Sequence, residues 1–371
     1  MKPHRIPLKN ILFYPLFQRT KSLVVSALLF ASAAIPLRAE MAGSKPEGFS
    51  KITIPAARSE TVPSLTTLSL TLSNPVVYAG AWSAIDGING KLTDANALWT
   101  NGELSGASTP YYVKITSGAG VGRIFKISAN TTNTLTVDLG TPAVNLTEVG
   151  AGLVMGDQYE IFAADTLGSL FGTENVPLKS GAAEATADLV KVWSDQSQAW
   201  VTFFHNGTEW RKVLGGTVSQ NNTVLPLDRG IQIVRRETSS LNLIFTGTVV
   251  TGMHRTPLGQ SIAGSVGKNF ISTPFVKNII PVTLATSGLD QMPGWIKNAS
   301  PELADQVQVY SETSQAWFTY FHNGTEWRKI LGGTISQNAT VLEEGRPMMV
   351  IRRSSPTGAN ALYAQSSSYE F

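Results

Sequence analysis

Trp200, Trp210 and Arg211, within SQAWVTFFHNGTEWRK, return 117 positions later as Trp317, Trp327 and Arg328, within SQAWFTYFHNGTEWRK. Large flat rings beside a guanidinium can stack on sugar rings and hydrogen-bond their hydroxyls, with Glu209 or Glu326 and Asn206 or Asn323 as further partners. Two linked weak sites then gain by avidity. These six residues are the candidate ligand-binding set. The competing reading is that the same tryptophans, with Trp193 and Tyr310 nearby, pack the core or the contact between the two copies.

Catalytic and metal chemistry find less support. A hydrolase needs two carboxylates roughly 5–9.5 Å apart, or a nucleophile held against a base. Asp157 and Glu160 in GDQYE, and Asp188 with Glu209 and their counterparts Asp305 and Glu326, are the carboxylates worth naming, and Asp157, Asp188 and Asp305 also fit turn or capping roles. Beyond residue 39 the histidines are His205, His254 and His322. A metal would need His205 with Glu209, or the two copies' histidines brought together. No HExxH and no Ser/His/Asp spacing occurs, and the lack of cysteine removes thiolate ligands, thiol nucleophiles and disulfides together. SGAGVG at 117–122 is GxGxG between two strand-like runs with no helix after it, so it reads as a hairpin loop rather than a nucleotide cradle. No catalytic residue, metal or cofactor is assigned.

The elements that carry these residues read as strands. In each copy an alternating run, SQAWVTFFH or SQAWFTYFH, meets WRK across HNGTE. Asn-Gly between such runs signals a hairpin, with a type I′ turn that needs φ > 0 at both central residues. A two- or four-residue loop puts Val201, Phe203, His205, Trp210 and Lys212 on one face and Trp200, Thr202, Phe204, Glu209 and Arg211 on the other. Neither face is cleanly polar, so both are expected to be covered at least in part. The 117-residue offset also pairs Asp188 with Asp305 and Arg235-Arg236 with Arg352-Arg353, which bounds two copies at 166–236 and 283–353. Upstream, PYYVKITSG, GRIFKISAN and TLTVDL alternate apolar and polar residues between Gly and Asn punctuation, as half-buried strands do. NLIFTGTVV and KNFISTPFV, between the copies, supply the sheet partners a lone hairpin needs.

Charge and composition bear on compartment. The first 39 residues hold six basic and no acidic side chains, with an uncharged run from Leu23 to Pro36, the pattern of an export signal. That run is shorter than the roughly 20 apolar residues of a membrane-spanning helix. Beyond it remain 23 basic and 26 acidic residues, a formal net charge of −3 against +3 for the whole chain. A mildly acidic body argues against nucleic-acid binding. The 33 glycines and the 15% charged residues suit strands and turns better than helices.

YYVKITSGAGVGRIFKISANTTNTLTVDL, GDQYEIFAADTLGSLFG, GKNFISTPF before TLATSGL, and the ADxVxVxS…SQAW…FHNGTEWRK…VIRR frame together resemble a family of exported bacterial β-rich proteins of uncharacterised activity. The resemblance implies export and architecture and transfers no activity, cofactor or catalytic residue.

The expected fold is all-β, an N-terminal β domain followed by a β-sandwich-like domain made of two duplicated modules. Its expected parts are a signal peptide (1–39), a tether and first strand (40–62), the N-terminal β domain (63–165), module 1 (166–236), connecting strands (237–282), module 2 (283–353) and a C-terminal strand (354–371). The expected function is a non-enzymatic structural or interaction protein, periplasmic, on the cell surface or extracellular, with a polysaccharide or a cell-surface protein as partner. One alternative is an outer-membrane β-barrel-associated protein, favoured by the terminal Tyr369 and Phe371 and opposed by the polar Gln365 and Ser367. The other is a carbohydrate-active hydrolase using a carboxylate pair.

Overall fold

A computed structural model describes residues 45–59, 61–106, 108–140, 143–148, 150, 152–258, 266–275, 280–353 and 362–367. The expected signal peptide and the terminal Tyr369 and Phe371 lie outside the described residues. The described chain is all-β. It opens with β1 (Glu47–Ile54), β2 (Ser64–Leu68) and β3 (Leu72–Ser73). Next come β4 (Val76–Ala81), β5 (Ala84–Asp86), β6 (Lys91–Thr93), β7 (Tyr111–Ile115), β8 (Ile124–Asn130), β9 (Thr134–Val137) and β10 (Gln158–Ala163). One short helix, α1 (Leu167–Phe171), leads into β11 (Leu189–Ser194), β12 (Ala199–His205), β13 (Trp210–Lys212) and β14 (Ile231–Arg235). β15 (Leu241–Val249) and β16 (Met253–Pro257) follow, then β17 (Gly267–Ile271), β18 (Gln306–Ser311), β19 (Ala316–His322), β20 (Trp327–Lys329), β21 (Met348–Arg352) and β22 (Leu362–Ser366).

The duplication is explicit in the sheets. One runs β13-β12-β11-β14-β2 and the other β20-β19-β18-β21-β17, so each copy owns a hairpin, two inner strands and an edge strand from outside the repeated sequence. β2 was expected in the N-terminal domain; its ladder with β14, from Ile231↔Leu68 to Arg235↔Ser64, places it in the first module. Its counterpart β17 pairs with β21 from Ile271↔Met348 to Gly267↔Arg352. The N-terminal β domain therefore interrupts module 1 between its edge strand and the rest.

That domain is a seven-stranded antiparallel sheet, β4-β10-β7-β8-β9-β6-β5, whose two edge strands are consecutive in the chain and joined through Trp82 and Ser83. The sheet thus wraps on itself around a core of Trp82, Trp99, Leu92, Ile115 and Ile161, with Trp82 stacked on Tyr159 at 3.9 Å. Alternation sends Tyr112 and Phe162 to the opposite face, where they join the core of module 1. The SGAGVG loop turns β7 into β8, and two of its glycines, Gly118 and Gly122, combine positive φ (72° and 86°) with close neighbours. A Cβ on Gly118 would lie 2.0 Å from an Asp157 carboxylate oxygen, and one on Gly122 would lie 2.7 Å from the Met253 carbonyl.

Module 1's sheet buries Val190, Val192, Phe203, Trp210, Ile231 and Ile233 against Ile54 and Leu243 of the β1-β15-β3 sheet. Module 2 covers the equivalent face with Trp295, Leu284, Leu289 and Tyr363 of β22. The opposite faces of the two sheets meet around Trp193, Phe270, Met349 and Ile351, with Trp200 and Trp317 packed at the margin. Both faces of each hairpin are at least partly covered, as their mixed composition leads one to expect. The contact is pseudo-symmetric. Gln198 Oε1 accepts from the Lys268 N–H of β17 at 2.7 Å, and Gln315 Oε1 accepts from the Leu65 N–H of β2 at 2.7 Å. Each copy's turn thereby covers the exposed edge of the other's sheet.

Candidate functional site

The hairpin register is His205↔Trp210, Phe204↔Arg211 and Phe203↔Lys212, leaving a four-residue loop from Asn206 to Glu209. It is not the type I′ turn expected. Asn206 keeps negative φ, only Gly207 is positive at 105°, and the Asn206 side chain accepts from the Thr208 and Glu209 N–H groups at 3.0 and 2.9 Å. A four-residue loop lets the amide side chain replace the second left-handed residue. Asn323 and Gly324 repeat it, with φ 109° at the glycine.

This register turns Trp210 inward. It is 0% exposed, lies 5.8 Å from Phe171 and 5.5 Å from His205, and donates from its indole nitrogen to the Gly172 carbonyl at 2.8 Å. Trp327 is 1% exposed against Trp295 and His322. A ring of about 150–250 Å² buried at about 25 cal/mol per Å² is worth roughly 4–6 kcal/mol, several times the ~0.5–1.5 kcal/mol of an aromatic stack. Trp210 and Trp327 are core residues and offer no ring face to a sugar. Trp200 and Trp317 are half-buried in the inter-copy cluster, edge-on to Phe270 at 5.1 and 6.0 Å. Arg211 and Arg328 are held by Glu209 and Glu326, two residues earlier in each hairpin. The six candidate residues are not brought together: Trp210 and Trp327 sit in the cores of separate modules, Trp200 and Trp317 at the seam between the copies, and each arginine stays with its own hairpin's glutamate, so they serve as architecture and form no open platform.

The carboxylates named from sequence are also engaged. Asp188 is 1% exposed and acts as a clip, its Oδ2 accepting from the Lys179 N–H at 2.9 Å and Arg235 Nη1 at 2.7 Å, its Oδ1 from the Arg236 N–H at 2.6 Å. Asp305 repeats this with the Ile296 N–H at 3.0 Å, Arg352 at 3.0 Å and the Arg353 N–H at 2.6 Å. Asp157 caps the turn before β10 by accepting from the Val154 N–H at 2.9 Å, and Glu160 pairs with Lys45.

His205 Nδ1 accepts from the Gly207 N–H at 3.2 Å and the Ser180 hydroxyl at 2.8 Å, which leaves Nε2 to donate to the Thr173 carbonyl at 3.2 Å. It is a satisfied core imidazole, with both ring nitrogens partnered. His322 accepts from the Gly324 N–H at 3.2 Å, and burial pushes its pKa down. Among the described residues no group of three or more His, Cys, Asp or Glu side chains could hold a metal.

What remains at the surface, in both copies, is the loop after the hairpin. Leu214 and Leu331 are 102% and 101% exposed, and both sit at positive φ, 58° and 61°. Each occupies the third position of a turn closed by the next residue, Gly215 N–H to Lys212 carbonyl at 2.9 Å and Gly332 N–H to Lys329 carbonyl at 3.0 Å. Left-handed backbone costs a leucine on the order of 1–2 kcal/mol, and full exposure returns no burial. Val218 and Ile335, in the same loops, are 66% and 69% exposed. The repeated Leu-Gly-Gly, retained outside any strand, was the signal that could have found these loops.

Comparison with known proteins finds no family model that matches the sequence, no similar curated protein and no similar solved structure.

Proposed function

We propose that this chain is an exported, non-enzymatic interaction protein that docks a cell-envelope protein through two equivalent apolar loops, Lys212–Asn221 and Lys329–Asn338. One observation carries the reading: the same leucine, strained and fully exposed, stands at the tip of both loops. Neither a core nor a turn needs it there, since glycine or asparagine fills such a turn position without strain. Between the lysines and the asparagines the loops hold no charge, so they suit an uncharged apolar socket. Two such tips on one rigid sheet pair suit a partner that offers two sockets. The resemblance to exported β-rich proteins supports the compartment. In a test, purified chain is bound to envelope fractions of the producing cell. Leu214→Asp or Leu331→Asp alone is expected to weaken binding about tenfold, and the pair to abolish it. Leu98→Asp, at a 92% exposed site in the N-terminal domain, is expected to change nothing. Undiminished binding by the double variant overturns the reading.

Polysaccharide binding is the second reading, favoured by a different surface. A groove of about 750 Å³ crosses β5, β6, β8 and β9, lined by Asp86, Lys91, Thr93, Asn101, Thr131 and Thr134 among others. Hydroxyls, an amide and one charge of each sign suit a neutral polyhydroxyl chain. Retention on insoluble polysaccharide that falls with a Lys91→Ala/Thr134→Ala double variant, and not with Trp200→Ala, is the expected result. Loss with Trp200→Ala instead would return the site to the hairpins.

A further inference from the structure

The outer edge of β1 carries a self-complementary pattern. β1 is the outermost strand of the β1-β15-β3 sheet and pairs with β15 along its whole length, from Glu47↔Thr248 to Ile54↔Leu241. The Val249 N–H donates to the Pro46 carbonyl at 2.9 Å, which fixes the alternation. In an antiparallel strand the N–H and C=O of one residue point to the same side and successive residues alternate. Pro46, Gly48, Ser50 and Ile52 therefore face β15, while Glu47, Phe49, Lys51 and Thr53 turn their backbone groups outward. Those outward N–H and C=O groups have no hydrogen-bond partner among the described residues. The side chains of the same four residues lie on the exposed face, Phe49 at 69%, with Ile244 of the adjoining strand at 64%.

An eight-residue edge with no proline or bulge inside it, and an exposed phenylalanine as its third residue, is a template for another strand. Its charges say which strand. Antiparallel pairing of β1 with a second β1, centred on Phe49, opposes Phe49 to Phe49 and Glu47 to Lys51 twice. It also turns Phe49, Glu47 and Lys51 of both copies into hydrogen-bonded pairs, the ones whose backbone groups already point outward. Centring on Glu47 or on Lys51 sets like charges against each other, which is destabilising, and centring on Gly48 opposes Lys45 to Lys51. Centring on Ser50 opposes Phe49 to Lys51 and leaves Glu47 beside Thr53. Among the registers centred within β1, only the one at Phe49 pairs opposite charges.

We propose that a second copy of this chain docks on β1, the two strands pairing antiparallel about a two-fold axis at Phe49 to give a continuous six-stranded sheet, β3-β15-β1-β1-β15-β3. The dimer is independent of the docking reading given above, and would double the number of exposed leucine tips in one particle.

The chain has no cysteine, so a single introduced thiol reports the register directly. The full chain is expected to sediment at twice its mass. Phe49→Cys, whose Cα atoms would sit about 5.5 Å apart, is expected to form a disulfide-linked dimer on mild oxidation. Lys51→Cys, with Cα atoms about 14 Å apart in that register, is expected to stay uncrosslinked. Lys51→Glu is expected to weaken the dimer about tenfold or more, and the charge swap Glu47→Lys/Lys51→Glu to restore it. A chain that sediments as a monomer throughout, a swap that fails to rescue, or crosslinking at Lys51→Cys equal to that at Phe49→Cys overturns the proposal.

Discussion

Asp188→Ala is expected to destabilise the protein by about 3–5 kcal/mol, and Asp305→Ala by a similar amount. Each carboxylate is fully buried and satisfies two backbone N–H groups besides its arginine. Arg235 is 5% exposed and Arg352 1%, so truncation strands a charge that water cannot reach, and leaves the Lys179 and Arg236 N–H groups, or those of Ile296 and Arg353, without acceptors. Glu209→Ala is the comparison. Its partner Arg211 is 17% exposed and Glu209 26%, and pairs open to solvent are worth about 0–1 kcal/mol. Urea unfolding of the three variants distinguishes them. The two modules share the Trp193–Phe270–Met349 cluster and exchange edge caps through Gln198 and Gln315, so damage at either clip is expected to move one common transition. A shift for Asp188→Ala no larger than that for Glu209→Ala would remove the clip as the reason this aspartate and this arginine recur in both copies.

The hairpins were legible because their signals are local. Alternation, Asn-Gly and the 117-residue offset placed β12, β13, β19 and β20, and the mixed composition of their faces predicted that both are at least partly covered. The membership of β2 was not legible. SLTTL and GKNFI share no residue, because an edge strand in this role has only to alternate and to offer backbone to its neighbour and to a glutamine from the other copy. Duplication that keeps a backbone role without keeping side chains leaves nothing for an offset to find. α1 was also missed; its capping box, Thr166 with Ser169, sits in a segment too short for a helical period to appear. The candidate site failed for a different reason. A repeated tryptophan reads the same whether it is repeated for a core or for a ligand, and only the register decides, by sending Trp210 inward and Trp200 to the inter-copy seam. Leu214 and Leu331 were passed over because a loop residue carries no periodicity. Their signal is conformational, a leucine where glycine belongs.

His254 is expected to make the protein lose stability on mild acidification. It lies on β16, 0% exposed, and neither ring nitrogen has a hydrogen-bond partner among the described residues. Burial holds its pKa at about 4, with Lys114 and Arg229 acting in the same direction and Asp228 opposing them. The ordinary value is 6.5, so between pH 6.5 and pH 4 the unfolded chain binds a proton that the folded chain refuses. Stability is therefore full above pH 6.5 and falls as pH drops through that window, by about 3 kcal/mol at roughly 1.4 kcal/mol per pH unit. His322, whose pKa burial also lowers, adds a loss of the same sign; Asp195, Asp305 and Glu312, whose pKa values burial raises, work against it. The total slope consequently says little, and a variant is needed. His254→Phe keeps a planar ring, somewhat larger, and has no nitrogens to desolvate, so it is expected to stay folded at pH 7 with the gain from removing unpaired nitrogens set against the added bulk. Its urea midpoint is expected to fall less than the parent's between pH 7 and pH 4.5. Parallel midpoints across that range would mean that His254 takes up its proton in the folded protein, and that the seam between β16 and the turn carrying Asp228 and Arg229 opens enough to hydrate it.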